Sequence, residues 1–420
     1  MSHQGEAAKR LLAVSWEMPP MYGPRAAQVS MTLAELPALG WRPTVVCLAP
    51  RRGGPHWPTD TASADPAEGV EYVRVPSPQD WSIIRAARRV VPALRERPDP
   101  ARPWVAGATR AAIAAGRRDQ FSALVTFAQP WSDHLVGLRV QRATGLPWVA
   151  HFSDPWTASP YATPRQRAIW KPMEARVIEH AAALVFVTRE AADATLAAYP
   201  DAWRRKVVVV PHGFDRRRAV AATSQARHDR LRLVYTGRFY AGVRTPVMLL
   251  RALASLARDP LVAEAIEVRF IGPHVEEFRA EAASLGIADL ATFTGRMSSI
   301  DAATQAADAD VLLVIDAPSK TPSLFLPSKL VDYLPLRKPI LGITPARGAS
   351  ATLLARLGCV AAEPEDPRGI EAALRDLVTR WRAGTLGVGP AFDRVAGEFD
   401  IRCTTRQFRD VLLRACGEST

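Results

Sequence analysis

Val207-Val208-Val209-Val210-Pro211-His212-Gly213-Phe214-Asp215 is a short β-branched run that stops at a proline and a glycine. Residues 216–230 follow, polar and without a strand pattern, and then Leu231-Arg232-Leu233-Val234-Tyr235-Thr236-Gly237-Arg238 opens a second apolar run that ends on a glycine. Upstream, strand-like runs at 10–15, 44–48, 123–126, 148–152, 183–187 and 207–210 alternate with helix-period stretches at 25–39, 134–144 and 173–182. Downstream, runs at 231–235, 268–271, 292–294, 311–315, 340–343 and 360–362 alternate with helical segments at 246–257, 275–285, 300–307 and 328–334. Strands alternating with helices argue parallel sheets covered on both faces. The expectation is an α/β protein of two tandem Rossmann-like doubly wound domains facing a cleft. The first spans 1–215, a linker 216–230, the second domain 231–390 and a helical tail 391–420, which either closes the second domain or crosses back onto the first.

The chain's 420 residues allow two cores, and 48% apolar with 23% charged residues excludes a disordered or fibrous chain. The net charge of +12 raises nucleic acid, anionic membrane or acidic substrates as partners. No apolar run approaches the ~18 residues that a membrane span requires. Leu11–Val14 is too short for a secretory core, and it reads as a first strand. Cys47, Cys359, Cys403 and Cys416 are isolated, so neither a zinc site nor a disulfide framework is indicated, and a cytoplasmic location is expected.

In open parallel sheets ligands sit beyond the carboxyl ends of the strands, so the loops after strands are where function is sought. After the first strand, Pro19-Pro20-Met21-Tyr22-Gly23-Pro24-Arg25 opens a helix whose start suits an anion, or is an ordinary tight turn; the dinucleotide GxGxxG is absent. After the first strand of the second domain, Arg238 and Arg244 flank a glycine loop suited to a diphosphate. Pro327-Ser328-Lys329 starts a helix with Asp332 one turn in, an anion site beside a hydroxyl acceptor, or simply an N-cap with a dipole partner. His151 and Asp154, in His151-Phe152-Ser153-Asp154-Pro155-Trp156, could position a hydroxyl. Asp308-x-Asp310 reads as a strand entrance and not as a metal pair.

These stretches, in this order, resemble the retaining, family 4-type glycosyltransferases of the GT-B fold: "LLAVSWEMPPMYGPRAAQ", "HFSDPW", "ARVIEHAAALVFVT" leading to "VVVVPHGFD", "VYTGRFYAGVRTP", and "ADVLLVI" followed by "LPSKLVDYLPLRKPIL". The resemblance implies transfer of a sugar from a UDP- or GDP-sugar to a hydroxyl on a saccharide or lipid-linked acceptor, in polysaccharide or glycolipid synthesis, with no metal and no cofactor. It places Arg238 and Arg244 on the donor diphosphate, Ser328 and Lys329 on phosphate, and Asp332 on the ribose. Gly23 then closes on the donor, Gly272 and Arg296 lie by the base, and His151 and Asp154 face the acceptor. The family's Glu-x7-Glu motif is altered to Leu324 and Asp332, and His212 stands where Asn is usual. A non-catalytic nucleotide-sugar-binding scaffold and a GT-B sugar-nucleotide epimerase are the alternatives. Residues 81–118 carry nine arginines against Glu96 and Asp99, with apolar side chains at near-helical spacing. That stretch is either a basic amphipathic face for anionic lipid, placing the protein peripherally on a membrane, or a solvated helix. Nucleic acid is the least expected partner, since no reading module accompanies the charge.

Overall fold

The computed structural model describes residues 8–21, 23–49, 66–78, 97–220 and 228–418. Two compact units divide the chain: Met1–Gly213 together with Ile401–Thr420, and Phe214–Asp400.

In the first unit, β1 (Lys9–Val14), β2 (Trp41–Leu48), β3 (Glu71–Val75), β4 (Ala123–Ala128), β5 (Trp148–Phe152), β6 (Ala183–Phe186) and β7 (Val207–Val209) form one sheet. Its order is β3-β2-β1-β4-β5-β6-β7, parallel throughout. Both faces are covered, which is why the central strands β4 and β5 are buried at every position and do not alternate. Leu12 and Val14 of β1 pack into one core with Trp104, Trp148 and Phe152. Leu11 and Ala13 pack into another with Trp41 and Phe127. The helix Ile401–Ala415 seals this second face with Phe408, Val411 and Leu412. Each such side chain contributes about 1.5–3 kcal/mol on burial. Of the two courses open to the tail, the crossing back is the one taken. The tail's other helix, Pro390–Glu398, belongs to the second unit.

The second unit holds β8 (Leu231–Thr236), β9 (Ile266–Ile271), β10 (Ala291–Gly295), β11 (Val311–Ile315), β12 (Ile340–Ile343) and β13 (Val360–Ala362). They form a parallel sheet of order β10-β9-β8-β11-β12-β13. Alternate residues again feed two cores: Val311, Leu313 and Ile315 one, Leu312 and Val314 the other. In each sheet the order reverses beside the first strand, between β1 and β4 and between β8 and β11. These are the switch points where loops diverge and leave room for ligands.

Of the basic stretch 81–118, residues 81–96 lie outside the described residues. The remainder contains the helix Val105–Arg118, whose stripe Val105, Ala108, Ala112 and Ala115 is buried in the first core, while Arg110, Arg117 and Arg118 face outward. No described helix is long and apolar enough to cross a membrane.

Candidate functional site

At the switch point of the first unit, the loops after β1, β4 and β5 surround the guanidinium of Arg25, in the first turn of the helix Pro24–Glu35. Its Nη2 donates to the Ala128 carbonyl at the end of β4, 2.5 Å away, while Nη1 has no hydrogen-bond partner. Asp154 after β5, Glu17 after β1 and Asp133 after β4 all act on it electrostatically. Burial lowers the Arg25 pKa and raises those of all three carboxyls, Asp133 well above its usual range, and Arg25 opposes each rise. Asp133 is held by the Trp16 N–H at 2.8 Å, and Asp154 accepts from Gln129 Nε2 at 3.1 Å. Gly23 caps the helix, and a Cβ there would press on Glu17 Oε2 at 3.3 Å, so glycine permits this approach.

His151, at the penultimate position of β5, is 7% exposed and stacks on His212 with ring centroids 6.0 Å apart. Phe408 of the last helix lies edge-on to it. Burial, then the Arg25 charge, pushes the His151 pKa down to about 3, and His212 falls well below its normal value for the same reasons. His151 is therefore a neutral imidazole at neutral pH, with an unpartnered Nδ1. It suits holding a hydroxyl better than keeping a proton.

In the second unit, three glycines tie the strand ends together. Gly237 N–H donates to Ile271 O and Gly272 N–H to Gly295 O, both at 2.9 Å. Gly272 sits at φ +137°, and a Cβ on it would overlap the Gly237 carbonyl oxygen. Beyond Gly237 the chain makes a tight hairpin in which Tyr240 and Arg244 exchange two backbone bonds of 2.9 Å. Arg244 lies over the Tyr240 ring, and its Nη2 donates to the Arg238 carbonyl at 2.8 Å, leaving Nε without a partner. The hairpin thus sets the Arg244 side chain against the Arg238 backbone. Arg238 and Arg296 are exposed.

The helix Ser328–Tyr333 begins after Pro327, so Ser328 is the first helical residue and not the cap, and Asp332 lies beyond the first turn. Proline has no side-chain acceptor, so the first N–H groups of this helix are left without a side-chain cap. Lys329 Nζ lies 3.2 Å from Asp332 Oδ2. The same helix reaches β8 through Tyr333, whose hydroxyl accepts from the Thr236 N–H at 3.0 Å. Asp310 accepts the Arg232 N–H at 2.8 Å and faces His228, so it closes a strand entrance. No group of three or more metal-ligating side chains occurs among the described residues.

Sequence reasoning placed Gly23, His151 and Asp154 on strand-end loops but passed over Arg25, Glu17 and Asp133, whose shared environment needs the fold to be seen. A charged residue directly after Gly23-Pro24 in a helix start was the available signal. Tyr333 was missed for a similar reason, since nothing local marks its reach to Thr236.

Two parallel, doubly wound sheets, each covered on both faces, make up the GT-B fold. Residues 26–213 match the family model described as "Glycosyl transferase 4-like domain". No curated protein matches the chain. Among solved structures, HepE of Anabaena in complex with UDP is similar at 15% identity and TM-score 0.66, over 97% of this chain and 100% of that one. Sucrose-phosphate synthase of Thermosynechococcus elongatus is similar at 13% identity and TM-score 0.69, over 98% and 100%. WaaG, a glycosyltransferase involved in lipopolysaccharide biosynthesis, is similar at 16% identity and TM-score 0.60, over 96% and 99%.

Proposed function

We propose that the protein transfers a sugar from a UDP- or GDP-sugar to a hydroxyl of a saccharide or lipid-linked acceptor, with retention at the anomeric carbon and without a metal. The loop after β8 carries this reading: the Arg244 guanidinium is held against the Arg238 backbone carbonyl with the exposed Arg238 side chain on the same short loop, and guanidinium groups suit a diphosphate. The HepE structure with UDP supports a uridine nucleotide as donor. In the reaction the bond from the anomeric carbon to the leaving phosphate oxygen breaks, and negative charge grows on the diphosphate. Arg238, Arg244, Lys329 and the Ser328 amide stabilise that charge as it develops. The acceptor oxygen bonds to the same face of the anomeric carbon, and its proton passes to the departing phosphate oxygen.

His151, neutral and with Nδ1 free, accepts a hydrogen bond from the acceptor hydroxyl and orients it, and Asp154 holds a second hydroxyl. Asp332 takes ribose hydroxyls, with Gly272 and Arg296 beside the base and Gly23 closing on the phosphate. Role in polysaccharide or glycolipid synthesis and contact with anionic lipid through 81–118 are part of the same reading. Arg244→Ala and Lys329→Ala are expected to lower turnover about 100-fold each, as loss of a transition-state charge contact does. Near-normal turnover in both would overturn the assignment. Conversion of a free nucleotide sugar without acceptor would favour the epimerase, and UDP binding with no turnover on any acceptor the scaffold.

A further inference from the structure

Thr157 ends the loop that carries Asp154, and it is bonded at two points to one side chain. That side chain is Glu174, on the helix Pro164–His180 and fully buried in the first unit. Its Oε1 accepts the Thr157 N–H at 3.2 Å, and its Oε2 accepts the Thr157 hydroxyl and, at 2.8 Å, that of Tyr199. Burial raises the Glu174 pKa, and these donors oppose the rise. All three hydrogen bonds come from neutral groups, and a buried carboxyl so placed is a costly way to fill space, since an apolar side chain would pack there without losing hydration. What the carboxyl adds is direction. Its two oxygens fix both the backbone and the side chain of Thr157.

The rest of the loop is tied to the loop after β4. Trp156, next to Thr157, is fully buried and stacks on Trp131, with ring centroids 5.0 Å apart and planes 6° from parallel. Two residues earlier, Asp154 accepts from Gln129 Nε2 at 3.1 Å. Stacked rings tolerate offset, so the bonds at Thr157 are what set the loop's position along the ring planes. Glu174 touches neither Asp154 nor His151 through any hydrogen bond, and its effect on them passes through Thr157 and Trp156.

We propose that Glu174 is a positioning residue for the acceptor side of the reaction: by anchoring Thr157 it holds the loop 153–157, and Asp154 with it, where a hydroxyl is to be oriented. The inference rests on the reading of His151 and Asp154 as the acceptor's contacts.

The test combines hydrogen exchange and transfer kinetics on the full chain, on Glu174→Gln and on Val177→Ala. Gln keeps the size and leaves one accepting oxygen in place of two. Val177 is fully buried on the same helix, in the core that also holds Trp156, and controls for stability alone. In Glu174→Gln the amides of residues 153–158 are expected to exchange at least about tenfold faster, while β5 and the helix keep their protection, which also reports folding. Transfer is assayed with UDP-glucose, UDP-galactose, UDP-N-acetylglucosamine and GDP-mannose as donors and octyl glucoside, galactoside and mannoside as acceptors. For each pair that reacts, Glu174→Gln is expected to lower kcat/KM for the acceptor at least about tenfold, because a misplacement of about 1 Å caused away from the chemistry costs up to about 100-fold. KM for the donor should be unchanged, and Val177→Ala should alter neither constant. If Glu174→Gln does not fold, Thr157→Val, which removes one of the three bonds, is measured in its place, with the same outcomes expected at a smaller factor. Unchanged exchange at 153–158, equal changes for donor and acceptor, or the same acceptor loss in Val177→Ala would each overturn the proposal. Absence of transfer by the unaltered protein with every pair would instead overturn the transferase reading, and this inference with it.

Discussion

Replacing His151 by Gln separates the acid sensitivity of the first unit into a measurable part. Burial holds the His151 pKa at about 3, against about 6.5 in an unfolded chain. Between those values the unfolded state binds the extra proton and the native state does not, so stability falls as pH falls through that window. At pH 5 the unfolded pKa lies about 1.5 units above the ambient pH, and each unit is worth about 1.4 kcal/mol, which gives a loss of about 2 kcal/mol relative to pH 7. The buried carboxyls Asp133, Asp154 and Glu17 act in the opposite direction, because their raised pKa values make the native state bind protons more readily. The total pH profile therefore mixes signs, and only the difference between the protein and its variant isolates the imidazole.

Every tryptophan except Trp381 lies in the first unit, so urea unfolding followed by tryptophan fluorescence reports on that unit. With a urea slope of about 3 kcal/mol per M, the midpoint of the unaltered protein should fall by about 0.7 M more between pH 7 and pH 5 than that of His151→Gln. Gln approximates the ring's size and does not titrate, so cavity effects cancel between the two pH values. Parallel shifts in both proteins would refute a neutral, deeply buried His151, and with it the role of orienting a hydroxyl.

Arg25→Met leaves Glu17, Asp133 and Asp154 without their cation, which should cost about 3 kcal/mol at pH 7. The cost should shrink at pH 5, where the carboxyls take up protons, and a pH-independent loss would show that they are not coupled to Arg25. Gly272→Ala forces a β-carbon into the Gly237 carbonyl from φ +137°, and it should lower the melting temperature of the second unit and weaken UDP binding more than Gly242→Ala, whose β-carbon meets open space. Equal effects of the two, by circular dichroism and calorimetry, would mean that the strand ends are not tied as described.

The legible parts of the sequence were those where one residue run does one thing. The strand β11 is buried on both faces and apolar throughout, and β1 and β4 are nearly so, with Leu11–Val14 and a single Thr126, so each shows in the sequence. The edge strand Glu71–Val75 was not read, because Glu71 and Arg74 break the pattern and Glu71 pairs with Arg10 and Arg118. The helix Val105–Arg118 escaped because its core stripe is mostly alanine, which signals burial weakly. Sites divide in the same way. Arg238 and Arg244 are six residues apart on one loop, where Arg244 bonds the Arg238 carbonyl, so their closeness in the chain is informative. Arg25 meets Glu17, Asp133 and Asp154 only after three strands have been set side by side.

The excess of positive charge is explained by the same distinction between pairing and exposure. Arg10, Arg118, Arg232, Arg337, Arg356 and Arg375 all sit in ion pairs with carboxylates. Exposed pairs of this kind contribute about 0–1 kcal/mol each, so they neither hold the fold nor recruit a partner strongly. What differs in the second unit is location. Arg238 is exposed near a strand end, and the Arg244 side chain is held by its bond to the Arg238 carbonyl, so part of its rotamer entropy is already spent. In the first unit Arg25, in the first turn of a helix, is outnumbered by three carboxyls, and the imidazoles of His151 and His212 near it are neutral. A net charge of +12 summed over the chain conceals this contrast between exposed arginine in one unit and a cation set among carboxyls in the other.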